Sequence, residues 1–129
     1  NNANWLLDGP DGREFAGCCI SASLRDYGRL GLFALANTKT PTNGLLTDHW
    51  MQQSITPSQG YAGYGFFWWL LGDGIYAAEG VFGQYIVIDT RRDLIVVLQS
   101  TWPEAWNDAL EARALAFIKA LSDYVVDQE

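Results

Sequence analysis

A Ser-His-Asp triad needs an imidazole, and His49 is the only histidine in the chain. Asp48 and His49 are neighbours at an expected helix start, so their side chains should point apart. His49 is therefore expected on a helix surface. Glu79 is the only acid in the interior of an expected strand, which makes it the one unusual carboxylate. Its plain structural alternative is an outward-facing strand residue. No distinctive pair of carboxylates is present for glycosidase-type chemistry. Gly80-Val81-Phe82-Gly83 lies between two expected strands rather than between a strand and a helix, so it is no phosphate loop. Lys39-Thr40-Pro41 begins like a K-T-G triplet, but proline stands where glycine is needed. A metal site would need more ligands than the single histidine and two cysteines supply. Cofactors and metals are accordingly expected to be absent. Cys18 and Cys19 are adjacent, and such pairs rarely bond because the intervening peptide is strained. They are expected to be small, buried or half-buried thiols, and the redox compartment stays undecided.

The elements that would position these residues follow from periodicity. Asp8-Gly9-Pro10-Asp11-Gly12 is a turn signature, preceded by a short strand over Trp5 to Leu7. Ser21 or Ser23 caps a helix, and Ser23-Leu24-Arg25-Asp26 resembles a capping box. Leu24, Tyr27, Leu30, Gly31, Ala34 and Leu35 follow helical spacing, ended by Asn37. A polar loop over residues 38–44 leads to a short helix over residues 48–53. Tyr61 to Leu71 is aromatic and punctuated by glycine, which fits one strand buried on both faces. Phe66, Phe67, Trp68 and Trp69 are then core packing rather than a ligand platform. Gly72-Asp73-Gly74 is a tight turn. Ile75 to Val81, Gln84 to Asp89 and Leu94 to Ser100 are three further strands. Their short connections predict an antiparallel meander. Thr101-Trp102-Pro103-Glu104 reads as the capped start of a long helix. Its apolar stripe is Trp106, Leu110, Ala114, Phe117, Ile118 and Leu121, and its end lies near Val125. The fold class is α+β, a meander packed against helices, in a single domain over residues 1–129.

With 129 residues, 49% of them hydrophobic, the chain can build a real core. Its net charge of −7 argues against a nucleic-acid partner, because phosphate binding needs clustered Lys and Arg. The longest apolar run, Phe66 to Leu71, is too short to span a bilayer, so no membrane partner is expected. No charged and apolar leader pattern opens the chain at Asn1-Asn2-Ala3-Asn4. It starts as if cut from something longer.

Three stretches carry a resemblance. Gly12-Arg13-Glu14-Phe15-Ala16-Gly17-Cys18-Cys19-Ile20-Ser21-Ala22-Ser23-Leu24-Arg25-Asp26-Tyr27-Gly28-Arg29 resembles the G-G-x-x-S-T-A-x-D-L-A-R-F-G stretch of the class C β-lactamase-like serine hydrolases. That family includes D-alanyl-D-alanine peptidases, esterases and 6-aminohexanoate-dimer hydrolases. Tyr64-Gly65-Phe66-Phe67-Trp68-Trp69 is similar to its Y-G-x-G-W-W strand. Ala78-Glu79-Gly80-Val81-Phe82-Gly83-Gln84 with Tyr85-Ile86-Val87-Ile88-Asp89 is similar to its x-x-G-x-x-G-Q-x-I-x-V-D-P hairpin. The resemblance spans nearly the whole chain but only the C-terminal part of the family's catalytic domain.

The resemblance implies an amide, ester or β-lactam hydrolase working through an acyl-serine. It places the nucleophile and its lysine in an upstream S-x-x-K motif, which this chain lacks. Tyr27-Gly28-Arg29 does not match the family's Y-x-N. The K-T-G-type triplet maps onto Ala78-Glu79-Gly80, without the family's lysine. The next residue, Val81, resembles the second oxyanion-hole donor through its backbone N–H. Ala78, Glu79, Gly80 and Phe82 then line the substrate. The implied partners are a small amide or ester substrate, the remaining N-terminal part of the protein, and a second copy in a homo-oligomer. Bacterial cytoplasm and periplasm both stay open. The alternative is a stand-alone binding or oligomerisation module without catalysis.

Overall fold

Ser23 starts the first long helix with extended backbone and a side-chain oxygen that accepts from the Asp26 N–H at 3.2 Å. In this computed structural model, which describes residues 3–40, 46–47 and 49–126, that helix is α1 (Leu24–Lys39). It runs two residues past Asn37. Gly31, Ala34 and Leu35 face the core, as helical spacing requires, while Leu24 and Leu30 are exposed. Before it, β1 (Asn4–Trp5) and β2 (Ile20–Ser21) form a small antiparallel ribbon across the Asp8 to Gly12 turn. A second helix, α2 (Trp50–Ser54), follows; Asp48 and most of the preceding loop lie outside the described residues.

The main sheet is an antiparallel meander of β3 (Trp69–Gly72), β4 (Ile75–Gly80), β5 (Gln84–Asp89) and β6 (Leu94–Leu98), in that spatial order. The expected α+β meander is thus the observed one. Asp73 and Gly74, both at positive φ, make the β3–β4 turn the tight type that suits hairpin twist. The β5–β6 turn is fixed by Asp89, whose carboxylate accepts from the Arg91 and Arg92 N–H groups and from the Arg92 guanidinium. Burial of Asp89 works against its ionisation, but those bonds outweigh it and hold the carboxyl below its usual range.

Period-2 alternation divides the sheet between two cores. Tyr76, Ile86 and Ile88 pack under Ala34, Leu35 and Met51 on the α1–α2 face. Ala77, Tyr85, Val87 and Val96 pack under Ala114 and Ile118 of α3 (Asp108–Val126). Helix α1 can approach so closely because position 31 is glycine: an added Cβ would lie 2.6 Å from Ile95 Cγ2.

Two expectations need correction. The C-terminal helix does not begin at Thr101-Trp102-Pro103-Glu104. It begins at Asp108, where Asn107 Oδ1 accepts from the Leu110 N–H at 3.0 Å. Residues 101–107 instead pack as a loop on the β4–β5 turn, through the Trp102 N–H to Phe82 carbonyl bond (3.2 Å). Of the expected stripe, Ala114 and Ile118 are buried, whereas Trp106 and Phe117 are exposed. Nor is Tyr61 to Leu71 one buried strand. Only Trp69 onward is strand, and Phe67, at φ 66, is 68% exposed. Phe66 is exposed too, stacked on Trp50 at 6.0 Å, so these two rings are not core.

Candidate functional site

The fold-back at Phe66 and Phe67 decides what happens to β4. Gly65 N–H donates to the Trp68 carbonyl and Leu70 N–H to the Gly63 carbonyl, both at 2.8 Å. Those bonds aim the backbone groups of Trp68 and Leu70 away from β4. The N–H and C=O of Trp69 therefore face β4, opposite Ala77. Alternation directs the N–H and C=O of Glu79 to the same side, two residues further on. There β3 has already ended. On its β5 side, β4 pairs along its full length, from Ile75↔Asp89 to Gly80↔Gln84. On its β3 side, pairing stops at Ala77. The edge over Ala78–Gly80 is open among the described residues.

Val81 lies just past that strand, not within it as expected, and opens a turn completed by Phe82 and Gly83. It is 58% exposed, and its N–H makes no hydrogen bond among the described residues. Everything behind the turn is tied down. Phe82 N–H donates to the Ala105 carbonyl at 3.0 Å, and Gln84 Nε2 donates to the Ser100 carbonyl at 2.8 Å. Phe82 and Gly83 both have positive φ. Gly83 is obligatory twice over, since an added Cβ would also run into the Trp102 ring. The Val81 donor thus sits on a braced backbone.

The side chains distribute between the two faces. Ala78 packs toward the α1 core. Gly80 is exposed, with Gln84 as its cross-strand neighbour. Glu79 takes the opposite face, shared with Ala77 and α3, and is half-buried next to its strand partner Tyr85. Burial pushes its carboxyl above the usual range, and the like charge of Glu111 on α3 adds to the rise. Burial, then the charges of Glu79 and Glu111, push the Tyr85 hydroxyl up to about 12. Tyr85 is therefore a neutral phenol at any ordinary pH. Glu79 turns toward α3, whereas its backbone serves the open edge.

The remaining candidates are dispersed. His49 is exposed at the start of α2. Lys39 closes α1 and pairs with Asp93. Cys18 and Cys19 are neither free nor buried: they are bonded to each other and exposed, because a left-handed Cys19 (φ 76) turns the chain between them and β2. A cavity of about 330 Å³ opens at the other end of β4, lined by residues including Thr38, Gly74, Tyr76 and Thr90. Tyr76 there is a neutral phenol raised by burial, bonded to Thr38 at 2.7 Å. Among the described residues, no cluster of three or more His, Cys, Asp or Glu could hold a metal ion. No helix among them is long and apolar enough to cross a membrane.

Sequence reasoning missed the open edge itself. The signal was Gly63-Tyr64-Gly65, whose glycines mark a fold-back rather than a continuing strand. No protein-family model matches the chain, and no curated protein matches it.

Proposed function

We propose that this chain is the C-terminal part of a β-lactamase-like serine hydrolase, and that the open edge of β4 at Glu79-Gly80-Val81 lines its acyl-binding cleft. The observation that carries the proposal is the Val81 N–H, unbonded among the described residues, at the end of a strand whose neighbour has stopped short. An acyl-enzyme mechanism needs preorganised N–H donors where negative charge develops on the carbonyl oxygen. A donor on a braced turn, with a free strand edge beside it, supplies one such group and room for an extended substrate. Gly80, without a side chain, lets the substrate come close to the strand. The other donor is the N–H of the nucleophile, which belongs to the upstream part of the protein with its lysine and tyrosine. The substrate class is a small amide, ester or β-lactam.

This chain alone should be catalytically silent, since no serine in it is followed three residues later by lysine. A serine-directed phosphonate should leave its mass unchanged, while a longer protein carrying S-x-x-K upstream should gain one adduct. An adduct on any serine of the chain by itself overturns the proposal. A second reading, a stand-alone module that binds or oligomerises, is favoured by the exposed Phe66, Phe67, Phe117 and Tyr124. Sedimentation separates the two. Self-association that disappears in Phe66→Ser/Phe67→Ser, together with a silent longer protein, favours the module.

A further inference from the structure

Cys18 and Cys19 are joined by a disulfide between neighbours in sequence, and both are exposed. Their position in the β1–β2 ribbon gives the bond something to control. The Trp5 indole N–H donates to the Phe15 carbonyl at 2.9 Å and to the Cys18 carbonyl at 3.0 Å. Leu6 N–H donates to the Cys19 carbonyl at 3.1 Å. Immediately after Cys19, Ile20 and Ser21 pair with Trp5 and Asn4. The ribbon's pairing therefore rests on the conformation of the bonded pair, with Cys19 held in the left-handed region that a non-glycine residue seldom adopts.

The far end of the hairpin is held separately, by a Leu7–Glu14 bridge and by bonds from the Phe15 N–H to the Leu6 carbonyl (3.2 Å) and from the Asp8 N–H to the Arg13 carbonyl (3.0 Å), so the bonded pair controls the end at Leu6 and Ile20. The ribbon's strands are two residues each, too short to be stable unaided. Trp5, Leu6, Leu7, Phe15 and Ile20 are exposed, outside both cores. A bond from the Tyr27 hydroxyl to the Ile20 carbonyl (2.7 Å) ties β2 to α1.

We propose that the Cys18–Cys19 pair is a redox switch that sets whether residues 3–22 hold their ribbon conformation, operated by a dithiol reductant. One thiolate of the reductant attacks a cysteine sulfur, forms a mixed disulfide and releases the other cysteine as a thiolate. The second thiol of the reductant then closes its own disulfide and releases the first cysteine. Two electrons and two protons pass to Cys18 and Cys19, and the reductant leaves oxidised. The reverse exchange with a small disulfide restores the bond. Exposed disulfides are the labile ones in such exchange. Reduction frees Cys19 to leave the left-handed region, and the Leu6 and Trp5 bonds go with it. The switch stands whether or not the hydrolase proposal does.

The test is intact mass and amide hydrogen exchange on the chain, oxidised with glutathione disulfide and then treated with dithiothreitol. Reduction should add the mass of two hydrogens. Exchange at Leu6 should become roughly tenfold faster, because relaxing a left-handed non-glycine residue changes local opening by that order. Amides of β5 should be unaffected. A Cys18→Ser/Cys19→Ser variant should show the fast Leu6 exchange with and without reductant. Failure of the wild-type pair to form the bond overturns the proposal. So does a bond whose reduction leaves Leu6 exchange unchanged, and so does a double variant that retains slow exchange.

Discussion

The two ends of β4 share a strand and differ in company. At Ile75–Ala77 the backbone is paired on both sides, and Tyr76 and Ala77 are buried in opposite cores. At Ala78–Gly80 one side is paired and the other is open, and the chain then turns through the exposed Val81. The first end carries stability, whereas the second has backbone groups without a strand partner among the described residues. The difference is set outside β4, by the fold-back at Phe66 and Phe67 that ends β3 early. A free edge is a liability unless something uses it, and the proposed use of this short, braced one is substrate binding.

Changes in the doubly packed region should be the costliest. Ile88, fully buried on β5 opposite Tyr76, should lose about 2–5 kcal/mol on Ile88→Ala. Val81→Ala should stay within about 0.5 kcal/mol in the same urea titrations. Equal losses would erase the contrast between core and edge. Gly83→Ala tests the brace between them. A Cβ driven into Trp102 at positive φ should cost about 1–3 kcal/mol, readable as a lower urea midpoint. A neutral result would show that the turn is not held against residues 101–107.

The smallest effect belongs to Glu79. Its carboxyl is raised in the folded state, so folding favours the protonated form. That contribution is fully present below the unfolded glutamate range and is lost as pH rises through the folded value. Glu79→Gln should therefore stabilise the chain at neutral pH and change nothing well below that range. Thermal melts of both proteins across pH 3 to 8, roughly the span over which carboxylates titrate, give the comparison. A stabilisation independent of pH would detach Glu79 from Glu111 and from burial.

The parts legible in the sequence were those governed by local rules. Ser23 announced its cap through the residue three positions on, and Asp73-Gly74 announced its turn. The apolar runs in Gln84 to Asp89 and Leu94 to Leu98, joined by a short charged turn, located two neighbouring strands of the meander. What failed depended on partners remote in sequence. Thr101-Trp102-Pro103-Glu104 has the composition of a helix start, but Trp102 is recruited to cover Gly83, and the helix waits for Asn107. Phe66 and Phe67 read as core because they are apolar; burial is a property of neighbours, and at the tip of a fold-back they have few. Glu79 and Gly80 stood out in the sequence as a strand acid and a strand glycine, and they close β4. The open edge next to them was not visible, because it arises from a strand that stops rather than from any residue within it. The pairing of Cys18 with Cys19 ran against geometric expectation, and the left-handed Cys19 backbone accommodates it.

The central claim is that the Val81 N–H on the open edge of β4 serves acyl transfer. Burst kinetics with a chromogenic ester, on the longer protein carrying the upstream nucleophile, tests it directly. Val81→Pro deletes that N–H and should slow acylation by about 10²–10³-fold or more. Val81→Ala, which keeps the N–H, should acylate at nearly the wild-type rate. Wild-type acylation by Val81→Pro would contradict the account and remove this strand edge from the active site.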